Sequence, residues 1–260
     1  PNRTYEQIRN HYLVEKAIAD RLKQASREER KLIYATMYDE LFSKVPDHPR
    51  LTQRNDDQST RIANQTKLAL VSKFIDKSSV FVEFAPGDCR FATEVTKYVK
   101  YVYGIDISDQ RAQTGNDPDN FKLLIYDGFK LEFGENMVDI VFSEDTKTHF
   151  ETVLRILKHG GKYIFRTPHS YTGPHDVSGY FSTTPEGFHL KEWTCIEMES
   201  LLKDVGFSKL YLFRLSKGIG SRLPFIYSKI CERTLSLVPN HYKRVLTTRL
   251  IPEICIVASK

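Results

Sequence analysis

Four carboxylates stand at or near the ends of four short apolar runs. Glu83 is in "SVFVEF", Asp106 ends "YVYGID", Asp127 follows "FKLLIY" and Glu144 ends "VDIVFSE". If these runs are parallel strands, ligands gather just beyond their carboxyl ends, so all four acids face one crevice. Such a crevice suits a ligand with a positive centre and with hydroxyl or amino groups to donate. After the first run the turn reads "APGDCR", with Gly87 as its single glycine. A dinucleotide loop needs three glycines so that a pyrophosphate can approach backbone amides, and here the comparable positions are Ala85, Gly87 and Arg90. Asp88 stands where phosphate oxygens would arrive, and no Gly-Lys-Ser/Thr follows, which excludes a P-loop.

The residues therefore favour a nucleoside that carries no phosphate and does carry a positive charge. S-adenosylmethionine has both features. Asp106, 19 residues after Gly87, is placed to accept from both ribose hydroxyls. Asp127 is expected to meet the adenine amine, and Glu83 the amino group of the methionine part. Ala85, Gly87, Ile107, Gly128, Ser143 and Glu144 complete the expected cofactor-binding set. No metal ligand set is expected. Ala85 implies a backbone kept out of positive φ. Cys89 is expected at a helix start with ordinary φ, as a small packing residue rather than a reactive thiol.

Methyl transfer is a direct displacement, so the protein mainly aligns the reactants. An oxygen or nitrogen acceptor that must lose a proton calls for a base, usually histidine. His175 with Asp176 in "TGPHDVS", and His149 after the fourth run, are the catalytic candidates; the alternatives are loop-fixing hydrogen bonds for His175 and helix capping for His149. His169 is a weaker candidate, and His189 is expected to anchor the helix that follows it. Tyr171, Tyr180, Phe181 and Trp193 are the candidate substrate-binding aromatics, with Phe188 nearby; an ordinary satellite core is the competing reading.

These residues must be held by two regions. Residues 1–78 read as helices with no strand among them. "SREE" is a capping box, Pro46 and Pro49 break the second helix, and Asn55–Thr60 is a polar candidate hinge. This region is expected to form a lid, with Arg61, Asn64 and Gln65 as contacts. From residue 79 to 260, short strands alternate with helices, the pattern of a parallel sheet covered on both faces. The fourth helix is read from "FETVLRILKHGG", ahead of the strand "GKYIFRTP". A loop at 167–189 is long enough to be functional. "KEWTCIEMESLLKDVGF" is a helix stopped by Gly206, the segment 217–249 reads as a helical insertion broken at Pro224 and Pro239, and "EICIVASK" is a final strand.

The motifs "VEFAPGDCR", "GIDIS", "YDGFKLEFGENMVDIVFSE", "VLRILKHGGKYIFRTP" and "LLKDVGF", in this order, resemble those of class I S-adenosylmethionine-dependent methyltransferases. The segment "TGPHDVSGYF…GFHLKEWT" resembles a subgroup of bacterial small-molecule methyltransferases. The resemblance covers 79–260. It implies a doubly wound α/β fold, a mostly parallel seven-stranded Rossmann-like sheet with its last strand antiparallel and the N-terminal helical region outside it. It also implies S-adenosylhomocysteine as product and a small-molecule or glycan-type acceptor, as in glycan or secondary-metabolite pathways. The chain departs from the family at Glu83, where aspartate is usual, and at Ala85 and Cys89, where glycines are usual.

Bulk properties bound these readings. Four cysteines, at 89, 195, 231 and 255, form no Cys-x-x-Cys pair, so neither a zinc site nor a disulfide framework is expected, and a reducing cytoplasm is. No apolar run approaches the roughly 20 residues of a membrane helix. The chain starts at Pro1, so native residues are expected to precede it. Between Lys209 and Arg249, nine basic residues face the single acid Glu232, giving +8 in a chain of net +5. Such a segment is either a solvated helical face or a contact for an acidic substrate, nucleic acid or an anionic membrane surface. Nucleic acid is disfavoured because no aromatic-interleaved basic motif is present. The competing functional class is a non-catalytic binding or scaffold protein that docks through this basic segment. A nucleotide-dependent oxidoreductase is disfavoured by Asp88 and Arg90.

Overall fold

The computed structural model describes residues 3–53, 57–111, 117–144, 149–189, 191–216, 219–251 and 253–260. Four helices come first: α1 (Tyr5–Gln24), α2 (Arg27–Lys44), α3 (Pro49–Gln53) and α4 (Asp57–Val71). Thr4 with Gln7, and Ser26 with Glu29, close reciprocal capping boxes that satisfy the free amides at the starts of α1 and α2. Ile18 and Leu22 of α1 pack on Met37 and Leu41 of α2 as a small core of their own, against which Ile107 and Phe188 also rest. Of the candidate hinge, residues 55 and 56 lie outside the described residues, and 57–60 already belong to α4.

The sheet follows: β1 (Val80–Phe84), α5 (Arg90–Val95), β2 (Tyr101–Asp106), β3 (Phe121–Ile125), β4 (Val138–Glu144), α6 (Phe150–Ile156), β5 (Leu157–Pro168), α7 (Cys195–Val205), β6 (Ser208–Ser216), β7 (Ile219–Leu223), α8 (Phe225–Ser236), α9 (Asn240–Leu250) and β8 (Glu253–Ser259). Strand order is β3-β2-β1-β4-β5-β8-β6-β7. Strands β1 to β5 are parallel to one another, whereas β8 runs antiparallel between β5 and β6. The sheet thus has eight strands where seven were expected. The extra one, β7, pairs antiparallel with β6 at the edge and lies in the segment before Pro224 whose sequence reads as helical. Pro224 and Pro239 stand as N-caps of α8 and α9, consistent with their missing N–H and fixed φ. At Leu157 the chain leaves α6 for β5, earlier than the helical pattern had implied, and Gly160 turns at φ +82°.

The two-residue strand period sorts side chains between two cores. Val82 and Phe84 of β1 and Val141 of β4 join Met198 and Leu202 of α7 on one face. Phe81 and Phe142 join Leu70 and Val71 of α4 and Phe91 of α5 on the other. By the same alternation Glu83 and Glu144 emerge on the α4 face, and Ser143 on the α7 face.

Candidate functional site

The loop after β1 is held by Ala85, whose N–H donates to the Ile105 carbonyl at 2.8 Å. Ala85, Gly87 and Cys89 all have positive φ, at 53°, 58° and 60°. The expectation of ordinary φ at Ala85 and Cys89 is therefore corrected. The loop keeps the alternating left-handed path that glycines usually supply, and two side-chain-bearing residues carry the strain. A Cβ on Gly87 would meet nothing within 4 Å, so one side of the turn is open. Cys89 is 1% exposed, and burial pushes its thiol up to about 12, so it packs and does not react. Asp88 is engaged locally, accepting from the Arg90 N–H at 3.2 Å and pairing with its guanidinium at 3.4 Å.

Asp106 faces this loop. Its carboxylate accepts from Gly87 N–H at 3.1 Å and Ile107 N–H at 2.7 Å. Burial raises its pKa, and these amides oppose the rise. Ile107 turns toward the α1–α2 core. Asp127 accepts from the N–H groups of Phe129 at 2.9 Å and Lys130 at 2.8 Å, and Lys31 of α2 reaches it at 3.1 Å. The two amides, with Lys31, hold Asp127 down at about 2. Gly128, at φ +81°, lies under the Tyr34 ring, 2.9 Å from where a Cβ would stand.

Near the carboxyl end of β1 Glu83 is 2% exposed, and its Oε2 is buried with no hydrogen-bond partner. Burial pushes its carboxyl up to about 7, against the pull of Lys67. Lys67, on α4, lies 3.8 Å from Glu83 and 2.6 Å from Glu144. Burial alone would lower the pKa of Lys67; Glu83 and Glu144 outweigh it and raise the value. Glu144 is held in turn by Arg166 at 3.0 Å. Ser143 does not join them: its hydroxyl pairs with Tyr163 at 2.7 Å in the core, which removes it from the expected cofactor set.

His149 lies at the start of α6, without a capping hydrogen bond from its side chain. Its ring stacks on Phe84 at 5.4 Å, and its Nε2 meets the Tyr126 hydroxyl. Burial lowers the imidazole to about 4 and raises the phenol well above its ordinary value. His149 is thus neutral near pH 7 and sits among the strand ends.

The other expected residues are placed elsewhere. His175 Nε2 lies 2.9 Å from the Thr172 hydroxyl, which also reaches the His169 carbonyl at 2.8 Å. His175 Nδ1 faces Glu192 at 3.1 Å, and the His175 N–H donates to the same carboxylate at 2.7 Å. Both ring nitrogens are thus engaged within the loop itself. Asp176 spends its oxygens on Ser178 N–H at 2.9 Å and Gly187 N–H at 3.0 Å, capping a short 3-10 turn rather than doing chemistry. Glu192, held down at about 2 despite its burial, also gathers His189 at 3.5 Å. The four aromatic candidates do not converge: Phe181 stacks on Tyr12 of α1, Tyr180 is 72% exposed, Tyr171 lies under Lys243 and Trp193 under Lys191. The same loop does border a cavity of about 330 Å³ lined by Ser170, Gly173, Thr183, Thr184, Lys191 and Glu192 among others.

Sequence reasoning missed Lys67, Tyr126, Lys31 and Tyr34. Lys67 had a readable signal. Thr60, Asn64, Lys67 and Val71 form one stripe at spacings of four, three and four, and that stripe meets the Arg90 side chain, the Arg90 carbonyl, Glu83 and the core in turn. A lysine in line with buried Val71 needs a carboxylate partner.

Residues 82–165 match a family described as "Methyltransferase domain". Among solved structures, a chain in the Haloferax volcanii complex of the Trm112 activator with a methyltransferase is 17% identical with a TM-score of 0.54, covering 80% of this chain and 93% of that one. An S-adenosylmethionine-dependent methyltransferase of Mesorhizobium loti is 16% identical at TM-score 0.50, covering 75% and 98%. The [4+2]-cyclase SpnF is 15% identical at TM-score 0.50, covering 75% and 81%. At these identities the structural likeness shows the fold, not the reaction. No curated protein matches the sequence.

Proposed function

From the match of residues 82–165 to a family described as "Methyltransferase domain", we propose that this crevice binds S-adenosylmethionine and that the chain methylates a small-molecule or sugar-containing acceptor at oxygen or nitrogen. One observation carries the reading: Glu83 Oε2 is buried, acidic and unpartnered, on the crevice that also holds Asp106 and Glu144. A buried acceptor with no partner is costly, and a ligand ammonium there satisfies it. Lys67 beside Glu83 makes a pair of opposite charges, the complement of an α-amino acid zwitterion. In this reading Glu83 takes the amino group, Lys67 the carboxylate and Asp106 the ribose hydroxyls. Asp127 keeps its place for the adenine amine.

When bound, the cofactor supplies a methyl group activated on a sulfonium. The chain's residues bind and orient. His149, neutral because its pKa is about 4, is too weak a base to strip an alcohol. It serves instead to orient the nucleophile by hydrogen bonding, with Tyr126 fixing its ring. α1–α4 act as a lid, because Lys31, Tyr34 and Lys67 already reach the crevice. Four free cysteines suit a reducing compartment such as the cytoplasm. Glycan or secondary-metabolite pathways are the proposed setting.

Calorimetry tests the reading. S-adenosylhomocysteine should bind in preference to a nicotinamide dinucleotide. The reverse preference would sink it, and no heat with either would favour a non-catalytic scaffold.

A further inference from the structure

The α8–α9 hairpin takes no part in the crevice, and its outward faces are unlike those of a solvated helix. Its inward face is well made: Phe225, Ser228, Glu232 and Leu235 of α8 are buried. Glu232, the hairpin's sole acid, is consumed there by His169 at 2.8 Å and by the N–H groups of Cys195 at 2.6 Å and Ile196 at 3.1 Å. Opposite that face, Ile226, Ile230 and Leu237 are 59%, 60% and 86% exposed. With Arg233 between them, they fall on one stripe about 60° wide at helical spacing. On α9, Tyr242, Val245 and Leu246 are exposed as well, with Arg249 on the same arc. Seven of the fifteen exposed large hydrophobic residues found among the described residues lie between 226 and 250, so the apolar exposure is concentrated here.

Charge selects the partner. From Arg222 to Arg249 there are six Lys and Arg residues, and the sole acid is buried. Lys229 is partly engaged by Glu199 at 2.8 Å. A solvated face would alternate signs and lack the isoleucine and leucine stripe. A nucleic-acid face has no use for that stripe. Neither helix is long enough to cross a bilayer, and among the described residues no helix is long and apolar enough to do so. We propose that the α8–α9 hairpin docks the protein on an anionic lipid bilayer. The apolar stripes lie at the boundary between headgroups and acyl chains, while Arg233 and Arg249 reach lipid phosphates.

Co-sedimentation of the full chain tests this, using phosphatidylcholine vesicles with or without about one-third phosphatidylglycerol. The chain should pellet with the anionic vesicles only, and should be released at about 0.5 M salt. Arg233→Gln with Arg249→Gln should weaken binding about fivefold per residue. Ile230→Ser with Leu246→Ser should weaken it about tenfold or more. Both pairs are exposed, so thermal midpoints should stay at the wild-type value, and this control separates lost docking from lost folding. Failure of the wild-type chain to pellet with anionic vesicles would overturn the proposal. So would equal binding to neutral vesicles, or unchanged binding of the serine variant, which would mean adsorption by charge alone. A dimer dissolved by the serine substitutions would assign the face to a second copy, and tighter binding to duplex DNA or to RNA than to vesicles would assign it to nucleic acid.

Discussion

Lys67→Met should weaken S-adenosylhomocysteine binding while leaving methylthioadenosine, which lacks the amino acid part, bound as before. Lys67 stands 3.8 Å from Glu83, and 2.6 Å from Glu144, which Arg166 also holds at 3.0 Å. A charge-assisted hydrogen bond to the ligand carboxylate is worth about 1.5–3 kcal/mol, or about 10- to 150-fold in affinity. A second effect has the same sign. Glu83 is already pushed up to about 7 by burial, and losing its nearest cation raises it further, leaving a neutral carboxyl that holds an ammonium poorly. The folded state also loses a partly buried ion pair. That costs about 2–3 kcal/mol, less than a fully buried pair because Lys67 keeps some exposure and Glu144 keeps Arg166. Calorimetry with both ligands, beside a urea titration of each protein, reads all of this; Lys67→Gln serves if the methionine variant unfolds. Equal loss of both ligands would mean that Lys67 only shapes the crevice. Unchanged S-adenosylhomocysteine affinity would refute the zwitterion pairing.

Other outcomes follow from the same geometry. Asp106→Ala should remove cofactor binding altogether, measured by thermal shift; normal binding would show that the end of β2 does not grip the ribose. Ala85→Gly should stabilise the fold by about 0.5–1 kcal/mol in urea, since it relieves a left-handed alanine at a smaller entropic cost. His149→Ala should lower turnover with little change in cofactor affinity, whereas His175→Ala should lower stability more than turnover. His48 and His149 are both held near 4 by burial, below the ordinary 6.5, so the native state binds fewer protons than the unfolded chain between these values. Their contribution to stability is therefore present above pH 6.5 and lost as pH falls toward 4, by up to about 3 kcal/mol each. Glu83, raised to about 7, acts in the opposite direction between pH 7 and 4.5 and offsets part of the loss. Urea midpoints across this range should fall with pH, and a flat profile would contradict the burial of the two histidines.

Much of the architecture was legible because strand ends and helix caps are local signals. The alternation after residue 79 put Asp106 at the end of a strand and Asp127 just beyond the next, as β2 and β3 have them, and the two-residue period of β1 and β4 could have shown that Ser143 points away from Glu83 and Glu144. The extra strand β7 was hidden in "IGSRL", a short edge segment whose pairing depends on β6 and not on its own pattern. Lys67 carried a signal in its helical stripe with Val71, whereas the role of Tyr126 arises only when His149 at the start of α6 is docked against it. His175 and Asp176 looked catalytic because a Gly-Pro turn followed by His and Asp is polar and exposed in sequence. In three dimensions Thr172, Glu192 and backbone amides use up that polarity. At Ala85 and Cys89 residue preference pointed away from positive φ, and the turn's geometry prevailed.

A crystal structure with S-adenosylhomocysteine tests the central claim most directly. The ligand amino group should lie within hydrogen-bond distance of Glu83 Oε2, its carboxylate against Lys67 and its ribose hydroxyls on Asp106. A ligand seated elsewhere, with Glu83 Oε2 still unpartnered and Lys67 contacting nothing but Glu83 and Glu144, would contradict it.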